Sequence, residues 1–229
     1  MKDLKLFILT ISLVICSFAV QSCKKDEPVR LYDAIVTVKP SEDHSSVAFQ
    51  LDEDTVVYPV NMKGSDFSPT EQRASINYRE PTADECNLFD SRGPMIYVNW
   101  LQFILTKDMV PDLGPEDNEV EYGNDPVELV NDWVTLAEDG YLNLRFRTLW
   151  GNTGISHIVN LVYTPEEDNP YCVTFFHDAK GDYRLYEDDG IVAFRLEDLP
   201  DTGGQTVDLK VKWQSFSGPK QAIFNYRSR

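Results

Sequence analysis

The sequence predicts an all-β protein in two parts, a small closed barrel followed by an antiparallel β-sandwich. Three observations carry this. No stretch of about 12 or more residues places apolar side chains at i, i+3, i+4 and i+7, so helix signals are nearly absent. Short β-rich runs alternate with turn residues along the chain. An acidic stretch punctuated by Pro and Gly divides those runs at residues 108–127. With 42% hydrophobic residues the chain has enough apolar side chains for sizeable cores, which argues against disorder.

Residues 1–22 read as a lipoprotein signal peptide. Lys2 and Lys5 are basic, and residues 6–20 carry no charge. A spanning helix needs about 20 apolar residues, so this run suits the core of a cleaved export signal better. Val20-Gln21-Ser22-Cys23 resembles the bacterial lipobox, with Gln at a tolerant position. The resemblance implies cleavage before Cys23 and acylation of its sulfur and new amino group. Each buried CH₂ of an acyl chain contributes about 0.8 kcal/mol, so more than one chain anchors stably. Lys25, Asp26 and Glu27 resemble the surface-export signal of Bacteroidota-type lipoproteins, which implies the cell exterior. The charges of residues 23–31 also suit an extended tether.

Residues 32–107 form the first expected domain. Residues 34–38 read as a strand ending at Lys39-Pro40. Residues 46–51 and 55–60 read as two more, joined by the turn Asp52-Glu53-Asp54. Residues 73–78 are a fourth. Residues 96–106, with Trp100 and Phe103, are long enough for a bent barrel strand. Five short strands fit a small barrel, and a Greek-key barrel of the OB type is one closed solution among several small β folds. Residues 108–127 follow as an acidic linker or long surface loop.

Residues 128–229 read as the sandwich. Asp139-Gly140 is a strong hairpin signal, because both central residues of such a turn need φ > 0. The strand after it alternates, with Tyr141, Asn143 and Arg145 on one face and Leu142, Leu144 and Phe146 on the other. Asp189-Gly190 is expected to be a second hairpin turn. Residues 156–163, 171–176, 206–213 and 222–226 complete about seven strands.

A family resemblance rests on these residues. Trp133-Val134-Thr135 and Glu138-Asp139-Gly140-Tyr141-Leu142 are its core. Gly151-Asn152-Thr153-Gly154, His157, Asn160-Leu161-Val162, Phe194-Arg195-Leu196, Leu199-Pro200 and residues 207–213 extend it. With the lipobox, the chain resembles the NigD-like lipoproteins. The resemblance implies an N-terminal OB-type domain and a C-terminal β-sandwich, and an association with bacteriocin-linked gene clusters. It implies no particular ligand.

The search for chemistry assigns no catalytic residue, metal ligand or cofactor. The histidines are His44, His157 and His177. No G-x-S-x-G elbow and no His-x-x-x-His or Cys-x-x-Cys pair occurs. His157 is expected to be structural and His177, next to a turn, solvated. The acids of residues 112–121 and 187–189 match no calcium loop and read as solvated surface. Trp133 and Trp213 are expected in the sandwich core, and Trp100 in a strand too apolar for a ligand platform. Asp54-Thr55-Val56 resembles the acceptor for O-linked glycans in exported Bacteroidota-type proteins, at Thr55. Cys86 and Cys172 are expected as separate thiols, although an oxidising compartment permits one disulfide. The net charge of −17 excludes general electrostatic binding of nucleic acid.

The expectation is a non-enzymatic outer-membrane surface lipoprotein. It would touch the membrane through its lipid and bind an unidentified protein or glycan. The alternatives are a carbohydrate-binding or carbohydrate-processing surface protein, and a structural component of an outer-membrane assembly or a bacteriocin-linked immunity factor.

Overall fold

Alternating apolar residues in five short strands close the first domain of this computed structural model. It describes residues 28–86, 92–151, 154–182 and 184–229. The signal peptide, Cys23, Lys25, Asp26 and Glu27 lie outside the described residues. The strands are β1 (Tyr32–Pro40), β2 (Val47–Gln50), β3 (Val56–Pro59), β4 (Gln72–Arg79) and β5 (Met95–Phe103). They close in the order β1-β2-β3-β5-β4, with β3 and β5 parallel and the other pairs antiparallel. Val36, Val38, Phe49, Ile76, Ile96 and Val98 fill the barrel.

The long run 96–106 divides instead of bending. The Ile104 amide bonds to the Arg73 carbonyl, and β6 (Leu105–Lys107) then pairs in parallel with a sandwich strand. The segment expected as a linker is folded. It holds helix α1 (Pro115–Tyr122), begun by Pro at its first turn and favoured by Glu116 and Asp117 near the positive end of its dipole. Tyr122 packs with Val110, Val162 and Phe176, and donates to the Pro111 carbonyl at 2.8 Å. Eight residues burying only Asn118 and Tyr122 offer no 3–4 apolar stripe, so periodicity misses this helix.

The sandwich has two sheets. One is β10 (Ile158–Tyr163), β11 (Cys172–Asp178), β13 (Val207–Ser215) and β14 (Gly218–Tyr226), in that order. The other runs β6-β12-β9-β7, with β8 also on β9. Its members are β7 (Glu128–Leu129), β8 (Leu136–Glu138), β9 (Tyr141–Trp150) and β12 (Tyr186–Arg195). The pairs β11–β13 and β6–β12 are parallel, so the sandwich is not antiparallel throughout. Leu142, Leu144 and Phe146 of β9 meet Leu161, Phe175, Phe194 and Val211 in its core. Burial of each such side chain contributes about 1.5–3 kcal/mol.

Asp139 and Gly140 turn the β8–β9 hairpin with φ of 45° and 70°. The second Asp-Gly does not turn the chain. Gly190 sits inside β12 opposite Phe146, and a Cβ there would lie 2.4 Å from the ring carbon Cζ. Glycine is needed at that position for close packing.

The other face of β9 explains the join between the domains. Tyr141 and Asn143 are buried although they face away from the sandwich core, because the barrel covers them. Ile35 and Ile104 pack there with Val134 and Ala193. Leu31–Arg229 is accordingly one unit.

Candidate functional site

A groove of about 620 Å³ opens on the outer face of the four-stranded sheet, beside α1. Alternation places it there. Leu209, Val211 and Trp213 face the core, so Lys210, Lys212 and Gln214 face outward. Thr174, Lys212 and Gln221 share one cross-strand row, and Gln214 and Pro219 the next. Asn118 contributes from α1, Asn124 from just past its end, and Phe176 from β11. Asn118 holds the wall, accepting from the Leu113 amide at 2.9 Å and donating to Asp112 at 2.7 Å. Both lysines of the groove have acidic partners: Lys212 shares Glu166 with Lys210, at 3.2 Å and 2.5 Å, and Lys220 pairs with Glu128 at 2.7 Å. Hydrogen bonds from Lys210 and Lys212 push the Glu166 carboxyl down to about 2.

A second cluster is buried in the sandwich. His157 stacks on Trp150 with ring centroids 3.9 Å apart. Its Nδ1 lies 2.9 Å from His177 Nε2, and its Nε2 lies 3.2 Å from Asp182 Oδ2. His177 Nδ1 lies 3.3 Å from the Asp125 carbonyl. Burial pushes His177 down to about 4. The Gly151 amide donates to the same Asp182 oxygen at 2.9 Å. The partners named here are all internal to the fold, and none of them lines the groove.

A third set of polar side chains fixes the barrel to the sandwich. Arg73 of β4 is 0% exposed. It donates to Thr37 at 2.8 Å, to Asn143 at 3.2 Å and to Glu138. Burial pushes Glu138 up to about 7, against the pull of Arg73. Burial acts on Asp139 in the same sense, but bonds from Arg229 and Thr37 outweigh it and hold that carboxyl below the usual range.

Several expectations are corrected here. His177 is 2% exposed, not solvated, because its strand continues past the expected end. His157 bonds to side chains rather than to neighbouring backbone. Trp100 is 48% exposed. A register shift after Asn77 pairs it with that outward residue, whereas strict alternation from Ile96 and Val98 would point it inward. Trp133 is 54% exposed, and its neighbour Val134 is buried instead. Trp213 is buried as expected.

Thr55 is exposed at the β2–β3 turn, its amide donating to Asp52 at 2.8 Å. Cys86 and Cys172 are free thiols. Asp112 bonds within its own loop, and Asp189 pairs with Arg145 and Arg147. Among the described residues no group of three or more His, Cys, Asp or Glu could hold a metal ion. The groove itself escaped sequence reading, because its residues come from separated strands and α1.

Fold and site together define a two-domain all-β protein, an OB barrel locked to a β-sandwich with a polar groove on its outer sheet. The family model described as the NigD-like N-terminal OB domain matches residues 35–104, and that of the NigD-like C-terminal beta sandwich domain matches residues 108–226. The chain belongs to the NigD-like family. A crystal structure of a protein described as toxin-related, from Parabacteroides distasonis, is 33% identical over 86% of this chain and 94% of its own, with a TM-score of 0.71. A protein of unknown function from Bacteroides vulgatus shares the fold at 23% identity and TM-score 0.67, over 86% of this chain and 91% of its own. A NigD-like immunity protein from Bacteroides caccae does so at 23% identity and TM-score 0.58, over 87% and 97%. No curated protein matches the chain.

Proposed function

We propose that the chain is a lipoprotein anchored at the outer-membrane surface through Cys23, acting there as a binding module and not as an enzyme. The α1 groove is its binding surface. The observation that carries this is the state of the groove's charges. Lys212 and Lys220 are paired with the carboxylates of Glu166 and Glu128, which stand outside its lining. Beside these pairs and the carboxylates of Asp112 and Glu119, the lining displays amides, hydroxyls and apolar edges, which suit recognition. The lipobox at Cys23 and the Lys25-Asp26-Glu27 segment support the location. The buried network around Arg73 supports presentation of the groove on a rigid body.

Protease treatment of intact cells and acyl labelling test this reading. Wild-type protein should be labelled and cleaved from outside, and Cys23→Ala should lose the label and the membrane. Retention of Cys23→Ala in the membrane, or protection of wild type from protease, would refute the anchoring and the topology respectively. An immunity role is the second reading, favoured by family membership. It requires a protein partner that crosslinks at the groove.

A further inference from the structure

We infer that the α1 groove binds a neutral oligosaccharide. This rests on the groove being the binding surface and adds the class of ligand. Its volume of about 620 Å³ falls in the range of small-ligand sites, roughly 300–1,000 Å³. The amides of Asn124 and Gln221 have no partner among the described residues, and that of Gln214 makes one bond of 3.3 Å to the neighbouring Ser215 carbonyl. Each amide offers two donors and an acceptor, the pattern that matches a hydroxyl able to give and to accept. Thr164 and Thr174 add hydroxyls, 2.8 Å apart, on the same wall.

Charge decides against an acidic ligand. The lining holds Asp112 and Glu119 against Lys212 and Lys220, and both lysines are already paired. A phosphate, sulfate or uronate would have to compete with Glu166 and Glu128 for the lysines and would face Asp112 and Glu119 in the lining, and the chain's net charge of −17 would repel it. Topology decides against an extended peptide. The centre of the floor is sheet interior, where β13 pairs with β11 on one side and β14 on the other, so a peptide laid across it meets no free ladder there, and only β14 at the sheet edge is paired on one side alone. Pro115, Pro165 and Phe176 supply the apolar edges that a sugar ring's C–H face requires.

Titration calorimetry on the full chain in detergent micelles tests the assignment. The probes are maltotetraose, cellotetraose and mannotetraose, with tetragalacturonate and a pool of random octapeptides as the alternatives. At least one neutral tetrasaccharide should bind with micromolar to millimolar Kd. Gln214→Ala and Gln221→Ala should each weaken it roughly tenfold with Tm unchanged. Trp100→Ala, which alters the exposed aromatic of the barrel, should leave it intact. Failure of all neutral sugars, or binding of only the uronate or the peptides, overturns the ligand class. Peptide binding lost in the groove variants would overturn the sugar while leaving the groove as the binding surface. Sugar binding lost in Trp100→Ala and kept in the groove variants would overturn both.

Discussion

Arg73→Met tests whether the two domains are one body. Arg73 is fully buried, and its guanidinium serves Thr37 on β1, Asn143 on β9 and Glu138 on β8. Methionine fills similar space and returns none of these bonds. The loss strands the Glu138 carboxylate and leaves Asn143, whose Nδ2 already lacks a partner, with neither end satisfied. Breaking a buried ion pair from one side costs about 3–5 kcal/mol, a large part of the ~5–15 kcal/mol that holds a typical domain folded. Glu138 can escape by taking a proton, and without the pull of Arg73 it does so above pH 7, so the cost should shrink as pH falls toward 7 and level off below it. Adding Glu138→Gln should restore about 2 kcal/mol, because no carboxylate is then stranded. Urea unfolding followed by tryptophan fluorescence and far-UV circular dichroism measures this. Wild type should give one coincident transition, and Arg73→Met an earlier one that divides between the probes. A loss below about 1 kcal/mol, or a double variant no better than the single, would refute the network as the join.

Three further outcomes follow from the same structure. Gly190→Ala should lower stability by about 1–3 kcal/mol in thermal unfolding, since its Cβ would meet Phe146 at 2.4 Å, and Phe146→Leu should recover part of the loss. The pH profile has two opposed parts. His177, at about 4 against 6.5 unfolded, takes up a proton on unfolding, so its contribution rises with pH from 4 to 6.5. Glu138, at about 7 against 4.5 unfolded, releases one, so its contribution falls from 4.5 to 7. Wild-type stability should be nearly flat from pH 5 to 6, and Glu138→Gln should tilt it upward by about 1.4 kcal/mol per pH unit. An unchanged slope in that variant would contradict the assignment. In thiol labelling Cys86 should react in the native protein and Cys172 only after unfolding, because Cys172 is buried. A linked Cys86–Cys172 peptide would disprove the free thiols.

Local chemistry made much of the fold legible. The Asp139-Gly140 turn and the alternation of residues 141–146 are local signals, and both stand as expected. Identical chemistry at Asp189-Gly190 misleads, because the glycine there answers to the Phe146 ring across the sheet. Trp100 misleads for a similar reason, since one register shift reverses its face. Helix α1 is too short and too polar to show a stripe, and it folds because Tyr122 finds Val162 and Phe176. The charged join could not be read either, because Arg73 and Glu138 are 65 residues apart. The groove is legible only once β11, β13 and β14 are set side by side.

Photo-crosslinking on intact cells tests the central claim, that this surface protein binds through the α1 groove. A benzophenone amino acid at Gln221 places the probe in the groove, and the same group at Thr55 places it on the barrel. The account expects an adduct from position 221 and none from position 55. Adducts from position 55 alone, or from neither position, would contradict it.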